Sequence, residues 1–288
     1  MNNQQALLGR LQKRRVVVKT RKRGIHAGSR QSNKFGSSME FSDFRAYQPG
    51  DDIRQIDWNV FGRTQKHYIK RFLDEQELSI AVYLDATSSM TKIQSKWEHG
   101  KGLAAALSFM VLAGEDRLLY AAISSDGIHP VKRKGSVYSR RTFLEIQKYE
   151  GVAGSQNFLG CMKDSLSKKQ QLAILVTDGF EPIEDWESLF KKLKGMKQEF
   201  WFFQVLANEE LNPSYTGDMK LIDSETGTAV NISLNPSILF DYEKRLKEHN
   251  KQLEALCKRY GGQYIFAPEA RDLQTILFRD LPAKGLVR

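Results

Sequence analysis

The sequence predicts an α/β fold with a mostly parallel β-sheet and helices on both faces, preceded by a basic segment that contains strands. From residue 75 onward, strand-length apolar runs alternate with helix-length segments. Strands that alternate with helices favour a parallel sheet that is buried on both sides. A second observation is that acids and hydroxyls follow these strands, at the edge where open α/β sheets bind ligands.

The predicted elements follow in chain order. The strands are Leu78–Leu84, Arg117–Ile123 with Ile128–Arg133 as its antiparallel partner, Leu172–Val176, Phe200–Leu206 and Gln263–Phe266. The helices are Lys96–Ala113, Ser139–Tyr149, Phe158–Lys168, one around Trp186–Leu193, Ser237–Tyr260 and Ala270–Leu281. Gly261-Gly262 is a C-cap signal for the long helix, and Glu225-Thr226-Gly227 marks the turn of a hairpin.

We predict three segments: a basic arm over 1–38, an aromatic-rich segment over 39–75 that packs on the main domain, and an α/β domain over 76–288 with a hairpin insertion near 219–234. Residues 1–71 hold 16 Lys+Arg against 5 Asp+Glu, a net charge of +11. The other 217 residues hold 28 against 29, a net charge of −1. The basic excess suits nucleic acid, an anionic membrane surface or an acidic protein, or it forms a solvated arm.

Several classes of protein are disfavoured by composition. No run approaches the ~18–20 apolar residues that a membrane span needs. The N-terminus lacks the apolar core of a signal peptide. Cys161 and Cys257 have no metal-ligand or disulfide spacing. We therefore expect a cytoplasmic protein without membrane helices.

The stretch YLDATSSM carries the strongest chemical signal. Asp85, Thr87 and Ser89 alternate directly after the first apolar strand, so one turn can orient all three together. Asp178 follows the strand LAILV, and Ser155 lies in a Gly-Ser loop before a helix. Carboxylate and hydroxyl oxygens suit a hard cation such as Mg²⁺, with Mn²⁺ or Ca²⁺ as alternatives. A carboxylate from another molecule could fill an open position on that ion.

Catalytic interpretations of this stretch find less support. The loop is not a G-x-S-x-G elbow, and no histidine stands in a recognisable relation to it. No phosphate-binding G-x-x-x-x-G-K-[ST] motif occurs, which disfavours an NTPase. A metal-dependent phosphoesterase would need a base and a phosphate clamp that the sequence does not reveal.

These three loops resemble the metal-ion-dependent adhesion site of von Willebrand factor A-type domains, which have a Rossmann-like sheet. In that motif Asp85, Ser89 and Asp178 match unaltered, whereas Thr87 stands at a Ser position and Ser155 at the Thr position. The stretch EFSDFRAYQPGDDIRQIDWNVFGRTQKHYIKRFLDEQEL is similar to the signature of the bacterial "domain of unknown function 58" family. The tail segments LIDSETGTAV and LCKRYGGQYIFAP agree, so the resemblance covers roughly residues 35–288.

The resemblance implies a non-enzymatic, metal-dependent protein-interaction module. It also implies a partner, a MoxR-type AAA+ ATPase, for which this protein would be an adaptor in chaperone or remodelling work. An acidic ligand on a client is the other expected partner. The alternative is a protein that binds nucleic acid or an anionic surface through the basic N-terminal segment, and peripheral membrane contact stays open in that case.

The aromatic-rich segment carries two further predictions. Its opposite charges are expected to form ion pairs that fix turns, rather than a docking surface or an acid/base pair; they are Arg45, Asp51, Asp52, Arg54, Asp57 and Arg63. The nearby arginines are expected to keep the acids ionised. Trp58 and its aromatic neighbours are expected to pack in the core or between domains.

Overall fold

A computed structural model describes residues 2–19, 27–124, 127–151, 158–214, 217–222 and 228–288. The chain divides into two units, one formed by Met1–Lys22 with Ser79–Arg288 and the other by Arg23–Leu78. The strands are β1 (Ala27–Ala46), β2 (Tyr68–Gln76), β3 (Ser79–Asp85), β4 (Arg117–Ser124), β5 (Gly127–Lys134), β6 (Leu172–Thr177), β7 (Glu199–Gln204), β8 (Gly217–Ile222), β9 (Ala229–Leu234) and β10 (Gln263–Phe266).

The described helices include the six predicted ones, with bounds that agree to within a few residues, and four that the sequence did not predict, at Asn2–Gln12, Trp58–Thr64, Ser88–Thr91 and Asn208–Leu211. They are α1 (Asn2–Gln12), α2 (Trp58–Thr64), α3 (Ser88–Thr91), α4 (Gln94–Ala113), α5 (Ser139–Gln147), α6 (Phe158–Ser165), α7 (Ile183–Gly195), α8 (Asn208–Leu211) and α9 (Pro236–Arg259). The predicted last helix is a helical run of three consecutive segments, Leu273–Thr275, Ile276–Asp280 and Leu281–Ala283. None of the described helices is long and apolar enough to cross a membrane.

The larger unit is built on a six-stranded sheet in the order β10-β7-β6-β3-β4-β5. All neighbouring strands run parallel except β5, which pairs antiparallel with β4 as predicted. The chain moves from β3 to β4 on one side and returns to β6 on the other, so the strand order reverses at β3. The loops after β3 and β6 therefore emerge side by side, at the switch point where such sheets bind ligands.

Both faces of this sheet are covered, which confirms the predicted fold class. Side chains alternate between the two faces of each strand. Tyr83, Leu175 and Phe202 lie in one buried cluster with side chains of α6, α7 and α9. On α4, residues from Gly100 to Ala113 are buried, and this helix contacts β3, β4 and β6. The predicted C-cap is present, since Gly261 follows α9 with φ of +80°.

The N-terminal residues that the structure describes belong to the larger unit. Leu8 and Leu11 of α1 are buried, and α1 contacts α4. Val16 is buried and pairs with Val287 in an isolated β-bridge. The units divide after residues 22 and 78, whereas the sequence suggested segment ends at 38 and 75. β8 and β9 form the predicted antiparallel hairpin, and its predicted turn, 225–227, lies outside the described residues.

In the smaller unit, β1 and β2 pair antiparallel, and the residues between them form turns fixed by acids. Asp51 binds Arg45 at 2.7 Å and accepts a hydrogen bond from the backbone of Gln48. Asp57 caps α2 by accepting from the backbone of Asn59 and Val60. The predicted turn-fixing role is therefore confirmed for Asp51 with Arg45, for Asp52 with Arg54 and for Asp57. Asp57 pairs with a lysine, Lys70, that the sequence did not suggest, and Arg63 is exposed.

The pKa values of these acids agree with that role. A hydrogen bond from the backbone of Gln48 and then one from Arg45 lower the pKa of Asp51, and Arg54 lowers the pKa of Asp52. Lys70 is the main cause of the lowered pKa of Asp57. All three carboxyls are held in the ionised form, as expected for structural ion pairs.

Trp58 contradicts the prediction that it packs in a core, because 61% of its surface is exposed. It is the first residue of α2, and it makes edge contacts with Phe61 and His67 at ring-centroid distances of 5.9 and 6.3 Å. Phe61 stacks on His67 at 4.5 Å. Aromatic density in this segment therefore produces a local surface cluster, because these rings contact each other on a short helix and its following turn.

Candidate metal and partner-binding site

Asp85 is the last residue of β3, and three donors hold its buried carboxylate. Its Oδ1 accepts from the backbone N–H of Thr87 at 3.0 Å and from the Thr87 hydroxyl at 2.7 Å. Its Oδ2 accepts from the hydroxyl of Thr177, at the end of β6, at 2.7 Å. This last bond joins the ends of the two strands that flank the switch point, so the fold itself orients the carboxylate.

The two predicted hydroxyls lie next to this carboxylate. Thr87 precedes α3, and its Oγ1 lies 3.1 Å from the Oγ of Ser89. Because the Thr87 proton is directed to Asp85, the Ser89 hydroxyl donates to Thr87. Each oxygen keeps lone-pair capacity, since a hydroxyl has one donor and two acceptor positions. Asp85, Thr87 and Ser89 thus converge as their alternation in the sequence predicted.

Asp178 follows β6 and is almost fully buried beside this loop. Its Oδ1 accepts from the backbone of Phe180 at 3.3 Å. Its Oδ2 accepts from the ammonium of Lys96 at 2.9 Å. Ser155, the remaining predicted ligand, lies outside the described residues.

The structure adds two residues that the sequence analysis did not identify, Lys96 and Glu210. Lys96 lies in α4, and its side chain has 0% exposure. Its Nζ donates to Asp178, to Oε1 of Glu210 at 2.7 Å and to the backbone oxygen of Ser89 at 3.1 Å. Glu210 comes from α8, where its Oε2 accepts from the backbone of Ala207 at 2.7 Å. A lysine inside an Ala-rich helix predicted to be buried was the available signal, because buried lysines need partners.

Negative charge dominates this cluster. Burial, and then repulsion from Asp178, raise the pKa of Asp85 from 3.8 to about 7, against the hydrogen bonds that lower it. Burial lowers the pKa of Lys96, but Asp178 and Glu210 outweigh burial and raise it. Burial raises the pKa of Glu210 despite its contact with Lys96. When all are ionised, three carboxylates and one ammonium leave two uncompensated negative charges.

The donor set fits a hard divalent cation. Among the described residues no group of three or more His, Cys, Asp or Glu side chains is arranged to hold a metal, so the hydroxyls would have to contribute. Hydroxyl and carboxylate oxygens are the ligands Mg²⁺ accepts, and it retains waters when protein ligands are few. An ion of charge +2 would also neutralise the cluster.

Side chains from β7 and α9 support the site from behind and form its rim. Gln204 donates to the backbone oxygen of Asp178 at 2.9 Å, and His249 contacts the oxygen of Gly179 at 2.7 Å. Tyr242 donates to the backbone oxygen of Glu210 at 2.7 Å. Phe180 is 41% exposed, and its ring centroid lies 5.4 Å from the Lys96 ammonium. The charged cluster is thus covered by an aromatic residue that is itself accessible.

The strand order, with an Asp-x-Thr-x-Ser loop at its reversal point, agrees with the von Willebrand A-like domain that the sequence resembles. The family model "Protein of unknown function DUF58" matches residues 43–252. The chain therefore belongs to the DUF58 family, which confirms the predicted family. A relative is the uncharacterized protein Rv1480 of Mycobacterium tuberculosis H37Rv, 24% identical over 267 residues, which are 89% of this chain and 83% of that protein.

Similar solved structures include von Willebrand domains. One is a von Willebrand factor type A protein from Catenulispora acidiphila, with 15% identity and a TM-score of 0.45. The match covers 74% of this chain and 44% of that protein, so this chain spans less than half of its length. Another is the conserved hypothetical protein BatB from Bacteroides thetaiotaomicron, with 13% identity and a TM-score of 0.34, covering 72% of this chain and 98% of that one.

Proposed function

We propose that this protein is a non-enzymatic interaction module that binds a protein partner through a divalent cation at the edge formed by the loops after β3 and β6. The observation that carries the proposal is the convergence of Asp85, Thr87 and Ser89 beside Asp178, in a buried cluster where three carboxyl groups and one ammonium leave a net negative charge. Burying that charge without a counter-ion costs free energy, so a cation is the expected complement.

Thr87 and Ser89 would offer hydroxyl oxygens to the ion, and Asp85 and Asp178 would bind it directly or through water. Ser155 joins this set by resemblance to the adhesion motif alone. The ion, Mg²⁺ or else Mn²⁺ or Ca²⁺, would supply a Lewis-acidic position for a carboxylate from the partner. The chain's own contribution is to hold these oxygens in place and to exclude water behind them.

The partner we propose is a MoxR-type AAA+ ATPase, with this protein as an adaptor in chaperone or remodelling work in the cytoplasm. An acidic group on a client protein is the other candidate ligand. Support for the ATPase comes from family resemblance, and support for an acidic ligand comes from the chemistry of a cation with an open position.

The direct test is calorimetric titration of Mg²⁺ and Mn²⁺ into protein stripped with a chelator. Wild type should bind one equivalent, and Asp85→Ala should not. Asp164→Ala, which removes an exposed carboxylate from α6, is the matched control and should bind like wild type. Circular dichroism and thermal unfolding establish that each variant is folded; Asp85→Asn, which keeps the side-chain shape, replaces Asp85→Ala if that variant unfolds. Equal binding by wild type and a folded Asp85 variant would place the metal elsewhere.

Partner binding is then measured with the same proteins. A purified MoxR-type ATPase is immobilised, and each variant is titrated over it with Mg²⁺ or with EDTA. The proposal expects binding that needs both Mg²⁺ and Asp85. Binding that persists unchanged in EDTA would refute metal-dependent docking while leaving an adaptor role intact.

One observation favours the second candidate function, nucleic-acid binding. Trp58, Phe61 and His67 form a surface cluster, and Arg63 and Lys66 next to them are exposed. Exposed aromatic rings near exposed basic side chains suit single-stranded nucleic acid. The affinity can be measured by fluorescence anisotropy with a labelled oligonucleotide. It should fall steeply as salt rises from about 50 to about 200 mM, because binding releases counter-ions from the nucleic acid.

Point variants are the appropriate probes of this second function. Trp58→Ala with Arg63→Ala should weaken oligonucleotide binding, while Lys284→Ala, a basic residue at the far end of the chain, should not. Deletion of residues 1–34 would confound the experiment, because it removes the buried Leu11 and Val16 from the larger unit. Unchanged affinity in the double variant would remove this cluster from consideration.

A further inference from the structure

Lys96 places a permanent positive charge inside the site proposed to hold the metal. We propose that the Lys96 ammonium is a tethered cation that competes with the divalent ion for the Asp178 carboxylate, and that Lys96 and Glu210 together set the metal affinity. This inference rests on the proposed function, because it concerns how the same site is regulated. It assigns roles to two residues outside the predicted ligand set.

The geometry of Lys96 is that of a bound ion rather than of a surface lysine. Its three N–H donors have three acceptors, namely the Asp178 carboxylate, the Glu210 carboxylate and the Ser89 backbone oxygen. The side chain is fully buried. An ammonium in such a place is stable only because its charge and all its donors are satisfied there.

Competition follows from shared ligands. Asp178 gives Oδ2 to Lys96 and Oδ1 to the Phe180 backbone, so both carboxylate oxygens have partners already. Ser89 contributes its backbone oxygen to Lys96 and its hydroxyl to the pair with Thr87. A divalent ion that recruits Asp178 and Ser89 must therefore share them with the ammonium or displace it, and in both cases the two cations repel each other.

Glu210 acts in the opposite sense. It binds Lys96 at 2.7 Å and adds a negative charge at the same position. Its backbone oxygen accepts from Tyr242 of α9, which ties α8 to the rim of the site. Removal of Lys96 therefore leaves three uncompensated negative charges, and removal of the Glu210 charge leaves one. Removal of both returns the value to two, as in wild type.

This charge series makes the inference testable with four proteins. Mg²⁺ and Mn²⁺ are titrated calorimetrically into chelator-stripped wild type, Lys96→Met, Glu210→Gln and the double variant. A unit charge near a divalent ion in a site of effective dielectric constant about 20 should change affinity by at least ~10-fold. We expect Lys96→Met to bind more tightly than wild type, Glu210→Gln more weakly, and the double variant about as wild type does.

Lys101→Met is the matched control. Lys101 also lies in α4 and is also buried, but it pairs with Glu98 and with the backbone of Gln147. Its replacement removes a buried lysine from the same helix and should leave metal affinity unchanged. If Lys96→Met does not fold, the double variant is compared with Glu210→Gln, because these two proteins differ only at Lys96. The double variant should then bind the metal at least ~10-fold more tightly than Glu210→Gln does.

The outcomes separate this inference from the proposed function. Suppose that wild type binds metal through Asp85 and that folded Lys96→Met binds metal equally or more weakly. That result would overturn the inference and leave the metal site intact. Weaker metal binding would in addition make Lys96 a positioning residue for Asp178. Binding by Lys96→Met but not by wild type would support the inference and show that the ammonium has replaced the metal. Absence of binding in every protein would overturn both.

Discussion

Replacement of Asp85 by Asn should change how the stability of the metal-free protein depends on pH. The carboxyl has a pKa raised from 3.8 to about 7, chiefly by burial and then by Asp178. Asn keeps the shape of the side chain, and its oxygen can still accept from Thr87. Its amide can donate to the Thr177 hydroxyl, which is able to accept as well as donate.

The sign of the effect follows from linkage. A carboxyl whose pKa is higher in the folded than in the unfolded state favours folding while it is protonated, and this stability is lost as pH rises through the folded pKa. A shift of about 3 units corresponds to ~4 kcal/mol of unfolding free energy, and ~3 kcal/mol of this falls between pH 5 and pH 8. Asn does not ionise, so the unfolding free energy of the variant should not fall with pH through this position.

Urea denaturation in EDTA at pH 5 and pH 8, followed by circular dichroism, measures the effect. Wild type should lose ~3 kcal/mol more than Asp85→Asn between the two pH values. Titrating groups that do not interact with Asp85 cancel in this comparison because both proteins contain them. An equal pH dependence in the two proteins would refute the electrostatic account of the cluster. Mg²⁺ at pH 8 should stabilise wild type and leave Asp85→Asn unchanged.

Two further predictions concern packing. A Cβ on Gly262 would lie 2.2 Å from the Phe200 ring, so Gly262→Ala should lower the thermal midpoint by several degrees. Gly261 has open space around it but a φ of +80°, so Gly261→Ala should cost only ~1 kcal/mol of unfolding free energy. Trp58→Ala should change the free energy of unfolding by less than ~1 kcal/mol because the Trp58 ring is exposed, whereas Trp186→Ala should cost ~3–5 kcal/mol because Trp186 is buried. Similar losses for the two variants in thermal or urea unfolding would contradict this difference in burial.

The sequence was most informative where local pattern and burial agree. Apolar runs located the central parallel strands β3, β6 and β7, because strands covered on both faces need apolar side chains throughout. The alternation of Asp85, Thr87 and Ser89 was sufficient to predict their convergence, because the turn geometry of a few residues determines it. Asp178 followed from the rule that neighbouring parallel strands end at the same edge.

The pairing of Lys96 with Glu210 could not be predicted from local pattern, because the contact joins residues 114 positions apart. Glu210 lies on a helix of four residues that has no periodic pattern to detect. Trp58 was expected in the core or between domains because aromatic density usually accompanies burial, yet it opens a short helix and its ring is exposed. The sequence shows which residues are present, whereas charge pairing and exposure depend on elements that meet only in the folded chain.

The Lys96 cluster has a consequence for partner binding as well as for the metal. With Lys96 present, a bound divalent ion brings the cluster to neutrality, and an incoming carboxylate then adds one negative charge. Without Lys96 the same carboxylate would add to a cluster that is already negative, and like charges in a site of low dielectric constant repel strongly. A buried ammonium that weakens metal binding should therefore strengthen the binding of an acidic ligand to the metal-loaded site. Metal affinity and ligand affinity would then change in opposite directions in Lys96→Met, which no purely structural role for this lysine predicts.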